Sequence, residues 1–403
     1  MKNQIIDLAN IKQAYLDLAN QFEEKLKTTR YTGFDSVKLT DVDYKATGIL
    51  DEVRSDLVNS APLTPVRLVN ILKKDGKKRE VFILTVKDRI RARAIYRILE
   101  PLFELNYSPY LFSYRSSHPS AYAARSVARR YHRYFGQDYV MTIDIKDYFN
   151  YLDHDVIRKQ LTALGIKNDV LEMIEPFFKI KLWQNGKLVT WDKGIPQGTP
   201  FNSLFSNYYL TDLDNELGSK VSLYRRVGDD LIAFDKNKEK LEEVFNLAKK
   251  RITDLGLVIQ DKKTHFAKNT EEFSYLGYLF KDNSLRLRSG LVRELKIAWH
   301  KELKYNHSSL EKKVSKLKSL CFFSENNFQT QFLEILKQHQ QLDDDEGVKQ
   351  LSNQFYNYVA AYLFGKATPR NRRLAKEKLK EIKIPSFYEY YLAYRRGKKK
   401  SAA

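Results

Sequence analysis

The chain has 403 residues, 43% of them hydrophobic, and its 70 Lys/Arg against 50 Asp/Glu leave a formal net charge of +20. Such a length buries a substantial core across two or three packed subdomains, and so basic a surface repels itself unless it meets a polyanion, which makes nucleic acid the leading partner class and an anionic membrane the weaker one. A single cysteine, Cys321, excludes an intrachain disulfide and makes the cytoplasm the expected location. The seven histidines form no close pairs that would build a structural zinc site.

Residues 1 to about 60 are expected to be helical. The opening MKNQIIDLANIKQAYLDLAN alternates charged and apolar residues at helical spacing, an amphipathic helix rather than a signal peptide, and no apolar run approaches a bilayer span. From Arg67 to Arg89 two apolar stretches, VRLVNIL and REVFILTV, flank KKDGKK, whose Asp75-Gly76 is a hairpin signal. A helix is predicted from Lys87 to about Leu105. The following segment, YSPYLFSYRSSHPSAYAARSVARRYHRYF, begins as a loop and ends as a basic helix.

Three short apolar strands come next. YVMTI runs into DIKDYFN, a helix and a hairpin (LWQNGKLVTW) lead to GIPQGTP, and that loop opens a helix, NSLFSNYYLTDLDNEL. LYRRV then meets Gly228-Asp229-Asp230, and LIAF leaves it, two strands joined by an acidic turn. A helix over 238–255 follows, with LGLVIQDKKTHF behind it. This order predicts an α+β palm, an antiparallel sheet with helices on one face.

From about Arg286 only helices are expected, and Cys321 falls at helical spacing from Leu310, Val314 and Leu317, a core thiol. Asp343-Asp344-Asp345-Glu346 has the composition of a solvated loop ahead of a helix. Between Lys366 and Lys400 there are 13 Lys/Arg and three Glu, a net 13 − 3 = +10, interleaved with Phe387, Tyr388, Tyr390, Tyr391 and Tyr394. Basic residues mixed with aromatics in this way suit a nucleic-acid contact.

Asp144 ends one apolar strand, and Asp229-Asp230 stands at a turn 229 − 144 = 85 residues later. Carboxylates carried to one point by separate strands are what two-metal phosphoryl transfer needs, because two divalent ions neutralise charge developing on the entering and leaving oxygens. Either acidic element alone is weak evidence. What lies between and around them makes the case.

The segments DIKDYFN (144–150), GIPQGTPFNSLFSNYYL (194–210), VGDD (227–230), GLVIQDKKT (256–264) and YLGY (275–278) fall in an order and spacing that resembles the palm and thumb-entry motifs of reverse transcriptases. Upstream, Arg79-Glu80-Val81 and Thr85-Val86-Lys87-Asp88-Arg89 are similar to the fingers motifs of bacterial members. The resemblance covers about 67–285 and implies a right-hand polymerase fold: a helical region over 1–66, fingers and palm over 67–285, and an all-α basic thumb or C-terminal region over 286–403.

It also implies roles. Asp144, Asp229 and Asp230 would be the catalytic carboxylates and metal ligands, joined by the carbonyl of Ile145. Phe149 matches the aromatic residue that excludes a ribose 2′-hydroxyl. Gln197 and Gly198 match the lining of the incoming nucleotide, Arg79 the arginine that grips its triphosphate, and Lys263 a lysine at the leaving pyrophosphate. Tyr275, Leu276, Gly277 and Tyr278 match the primer grip. The sequence departs from the family pattern at Val227 and Gly228, where tyrosine and alanine or methionine are usual, and at Asn202-Ser203, where many bacterial relatives have Ser-Pro.

The implied activity is RNA-directed DNA synthesis with Mg²⁺, or Mn²⁺ in its place, on dNTPs and an RNA template, giving a DNA product and involving no membrane. The chain looks most like the stand-alone defence-associated ("unknown group" or abortive-infection) bacterial enzymes, related to retron and group II intron types. A structured non-coding RNA is then the expected template, held at Arg370, Arg372 and Arg373, with a second copy of the chain or a defence-system protein as a further partner. The alternatives are template-independent or protein-primed DNA synthesis, an RNA-dependent RNA polymerase, which Phe149 opposes, and a non-catalytic RNA scaffold.

Overall fold

The computed structural model describes residues 1–25, 48–72, 78–115, 117–184, 187–191, 193–196, 198–304, 308–322 and 339–401, with the short pieces 33, 35–39, 42, 45, 306 and 335–336 between them. Helices alternate with largely antiparallel strands, the expected α+β class. The described strands are β1 (Val66–Leu72), β2 (Lys78–Ile83), β3 (Tyr139–Asp144), β4 (Ile180–Gln184), β5 (Lys187–Trp191), β6 (Leu223–Val227), β7 (Asp230–Asp235), β8 (His265–Lys268), β9 (Phe273–Tyr275), β10 (Tyr278–Lys281) and β11 (Ser284–Leu287). Two compact units emerge: residues 1–123 with 139–267, and residues 124–138 with 268–403.

In the first unit the central sheet has the order β6-β7-β3-β8. Successive residues of β3 point to opposite faces, so Met141 and Ile143 enter the core while Thr142 and Asp144 share the other side. The core-side cover is the helix Lys238–Asp254, whose Leu241, Val244, Ala248 and Ile252 recur at helical spacing and are all buried. Each large apolar side chain of that stripe contributes about 1.5–3 kcal/mol on burial. Asn237 starts the helix by accepting from the Lys240 N–H at 2.7 Å.

A second sheet in this unit, β2-β1-β4-β5, joins the two predicted hairpins through a parallel pairing of β1 with β4 (Val66↔Leu182, Arg67↔Trp183). The Asp75-Gly76 turn lies outside the described residues, although β1 and β2 pair antiparallel up to Leu72↔Lys78. Behind them the helix Val86–Asn106 is capped by Thr85, whose hydroxyl accepts from the Asp88 N–H. Asp88 is buried and accepts from Arg91 Nη1 at 2.9 Å and from the Thr85 hydroxyl at 2.8 Å. The Thr85–Arg89 motif therefore anchors this helix. Among the described residues no helix is long and apolar enough to cross a membrane.

The second unit combines a three-stranded sheet, β11-β10-β9, with helices Ser289–Glu302, Leu310–Phe322, Asp345–Phe364, Pro369–Glu381 and Phe387–Ser401. Trp299, Phe355, Tyr362, Phe387 and Tyr391 lie in its core. The Cys321 side chain and most of FQTQFLEILKQH are outside the described residues.

The acidic run at 343–346 leads into the helix Asp345–Phe364, as its composition predicts, and three of its carboxylates have partners as well as solvent. Asp343 accepts from Ser284 Oγ (2.9 Å) and the Leu285 N–H (2.6 Å), Asp344 caps the next helix at Gly347, and Asp345 takes Arg395 and the Tyr391 hydroxyl. Asp343 also meets His132 at 3.0 Å and, with Asn283, holds that imidazole above the usual histidine range. A raised histidine adds stability below its unfolded pKa and loses it as pH rises through the folded value. His132→Gln is therefore expected to lower the melting temperature more at about pH 5.5 than at about pH 8.5. An equal drop at both values would remove the charge from this contact.

Candidate active site

Three separate strand ends and a following loop build the site, all within the first unit. In the β3–β7 ladder Asp144 stands directly opposite Asp230, and the Ile145 N–H donates to the Asp229 carbonyl at 3.2 Å. The other edge is fixed equally well: Gln260 N–H donates to the Asp144 carbonyl (2.9 Å) and Lys146 N–H to the Val258 carbonyl (2.8 Å). This second set of bonds delivers Lys263, whose ammonium lies 2.8 Å from Asp144 Oδ2. Asp144, Asp229, Asp230, Lys263 and the backbone of Ile145 are thus brought together.

The electrostatics are those of crowded carboxylates. Burial, reinforced by the charges of Asp229 and Asp144, pushes the Asp230 carboxyl up to about 7, against the opposing pull of Lys263. Among the described residues no three His, Cys, Asp or Glu side chains close around a point as a complete metal cage.

The nucleotide-side residues sit on the neighbouring loops. Phe149 lies in the short helical turn Tyr148–Asn150, half-buried, and its carbonyl accepts from the Ile195 N–H at 2.8 Å. That bond draws GIPQGTP against DIKDYFN. Both glycines of the loop are required: a Cβ on Gly194 (φ +63°) would lie 2.3 Å from the Phe149 carbonyl oxygen, and one on Gly198 (φ +116°) would lie 2.6 Å from that of Phe82. Gly198 is therefore pressed on β2, the strand that carries Arg79 opposite Ile71. The Arg79 side chain and the whole of Gln197 are outside the described residues.

Tyr275, Leu276, Gly277 and Tyr278 form the tight turn between β9 and β10 in the second unit, with positive φ at Leu276 and Gly277 and both tyrosines buried. Arg370, Arg372 and Arg373 occupy the first turns of the helix after Thr368; Arg373 pairs in the open with Glu377 at 3.3 Å, an ion pair worth at most about 1 kcal/mol.

Two elements escaped the motif reading. His154 bonds the Gly194 carbonyl at 2.8 Å while stacked on Phe178 at 4.6 Å between ring centroids, and so holds the loop beside Phe149. Beneath the Gly228-Asp229 turn lies a fully buried ion pair, Arg226 with Asp214. An arginine in an alternating strand and an aspartate in a helix carry no local sign that they meet.

Residues 71–280, just over half of the chain, match the family model for reverse transcriptase (RNA-dependent DNA polymerase). The chain belongs to the reverse transcriptase family, whose members are RNA-directed DNA polymerases. Among curated proteins it is 30% identical over 152 residues to the group II intron-encoded protein LtrA of Lactococcus lactis, covering 37% of this chain and 25% of that one. It is 21% identical over 260 residues to the retron Ec86 reverse transcriptase of Escherichia coli, covering 64% and 75%. Among solved structures, a telomerase from Candida tropicalis matches 85% of this chain and 68% of its own at 11% identity, with a TM-score of 0.48. The chain spans about half or less of the length of several curated relatives that it matches.

Proposed function

We propose that this chain copies an RNA template into DNA, with Asp144, Asp229 and Asp230 as the catalytic carboxylates. The observation that carries the reading is the pairing of Asp144 with Asp230 across one ladder rung, with Asp229 in the adjoining turn, inside a family-matched domain.

The residues fit a divalent cation. The Asp230 carboxyl, its ionisation held back by burial and by the charges of Asp229 and Asp144, marks a site short of positive charge, and the Lys263 ammonium already sits on Asp144. Asp144, Asp229 and Asp230, with the Ile145 carbonyl, would hold Mg²⁺ or Mn²⁺; such ions take hard oxygen ligands and keep positions for water and phosphate, so a complete protein cage is not needed. Bound there, the metal supplies charge neutralisation at the phosphate oxygens. The chain's own groups do the rest. Phe149 walls the sugar side, the backbone of Gly198 lines the incoming nucleotide, Arg79 and Gln197 grip the phosphates and base, and Lys263 neutralises the departing pyrophosphate. The YLGY turn holds the primer strand.

The narrower reading, a defence-associated enzyme working on a structured non-coding RNA, draws support from the basic C-terminal region. One preparation tests both levels. Purified protein should extend a DNA primer on an RNA template with dNTPs and divalent metal, and sequencing of copurified nucleic acid should return one dominant RNA with its complementary DNA. Replacing Arg370, Arg372 and Arg373 by Gln should release that RNA at lower salt and flatten the salt dependence, because fewer phosphates are neutralised and fewer counterions are displaced. Absence of RNA-templated extension would remove the activity, a random RNA population the dedicated template, and unchanged retention the role of the three arginines.

A further inference from the structure

β6 reads LYRRV, and its alternation turns Tyr224 and Arg226 inward. Inward positions of a buried strand ordinarily carry apolar side chains, yet Arg226 and its partner Asp214, on the helix Thr211–Gly218, are both completely buried. A buried ion pair is a poor device for stability, since desolvation offsets most of the attraction and apolar residues of equal volume do as well or better. Its geometry accounts for it.

The guanidinium grips Asp214 through Nε (2.8 and 2.9 Å to the two oxygens) and Nη2 (2.7 Å). Its remaining donors reach backbone: Nη2 to the Asn207 carbonyl at 2.7 Å, and Nη1 to the Gly228 carbonyl at 3.0 Å. Gly228 is the first residue of the catalytic turn, with φ +64° and nothing within 4 Å of where a side chain would start. No side chain of its own braces it.

The anchor points are themselves fixed. The Tyr224 hydroxyl donates to Asp214 at 2.8 Å, and the Asn207 side chain exchanges hydrogen bonds with the carbonyl and hydroxyl of Ser113 at 2.7 and 2.8 Å. Arg226 backbone groups bond Tyr110 and Phe112 at 3.0 and 2.9 Å.

We infer that Arg226, seated on Asp214, is a positioning residue that sets the Gly228-Asp229 turn and thereby the placement of the Asp229 and Asp230 carboxylates. The inference rests on the proposed role of those carboxylates. It requires arginine specifically: a lysine ammonium is a single point and does not span Asp214, Asn207 and Gly228 together. A displacement of about 1 Å at reacting groups costs on the order of a hundredfold in rate.

The test compares Arg226→Lys, Asp214→Asn and the double variant Arg226→Met/Asp214→Leu in primer extension, with melting temperature measured for each. Arg226→Lys and the double variant are expected to lower kcat about a hundredfold, raise the Mg²⁺ concentration for half-maximal rate, and leave the dNTP KM within about threefold. Asp214→Asn, which loosens the seat without removing the arginine, should fall between these and wild type. The double variant relieves both buried charges, so its fold is expected to survive when that of Arg226→Lys does not. A double variant with wild-type kcat and metal dependence overturns the inference, as does a rate loss that simply follows melting temperature across the series. Asp229→Asn, run alongside, separates the premises: wild-type synthesis in that variant means the carboxylate assignment has failed, whatever Arg226 does.

Discussion

Replacing Asp229, Asp230 or Asp144 by Ala is expected to abolish DNA synthesis, with a loss of at least about a thousandfold, while the protein stays folded. Removing charge stabilisation worth several kcal/mol slows the reaction roughly tenfold for each 1.4 kcal/mol. Folding is expected to survive because these carboxylates repel one another. The Asp230 carboxyl titrates near 7 in the native chain against 3.8 for the free side chain. The native state therefore binds the extra proton between those values, and this group's contribution falls as pH rises through the window. Asp230→Asn removes that slope, so at neutral pH its melting temperature in metal-free buffer should equal or exceed that of wild type. Primer extension at the wild-type rate by a folded alanine variant would refute the site assignment.

Phe149→Ala is expected to relax the choice of sugar. The half-buried ring stands in the turn that follows Asp144, and the loop packed on its carbonyl carries Gly198. A wall that excludes one hydroxyl sterically gives discrimination on the order of a hundredfold. Wild type should then prefer dNTPs over rNTPs by at least about that factor, and the alanine variant should narrow the ratio through rNTP kcat/KM. If wild type accepts both sugars equally, Phe149 is a packing residue and an RNA-synthesising relative becomes the better description.

The parts of this site legible in the sequence were those written locally. An apolar run that ends in Asp144, an acidic pair at a turn and glycines in a loop each announce a backbone event within a few residues. The parts that were not legible depend on distant partners. Nothing in VRLVNIL specifies that β1 will run parallel to β4, and LYRRV looks like an ordinary alternating strand until Asp214 arrives from a helix. The run NSLFSNYYLTDLDNEL, expected as one helix, ends at Tyr209 and restarts at Thr211, with Leu210 outside helical geometry (φ −107°, ψ 11°). The carbonyl of the adjacent Tyr209 there takes Gln160 Nε2, a tertiary bond that helical periodicity does not encode. The strands between 273 and 287 are so short, three or four residues each, that period-two patterning had little to act on.

The backbone bonds around Asp144 carry a consequence for how the protein comes into being. Asp144 leaves the ribosome 85 residues ahead of Asp229 and 260 − 144 = 116 residues ahead of Gln260, whose N–H holds its carbonyl. Closing loops of that size costs conformational entropy before any bond returns it. No nascent fragment that stops short of Gln260 contains the finished constellation, since one edge of β3 still lacks its neighbour. Until that neighbour emerges β3 lacks the edge that fixes the Asp144 carbonyl and delivers Lys263, so the finished arrangement arrives as a late event, after most of the first unit has been translated.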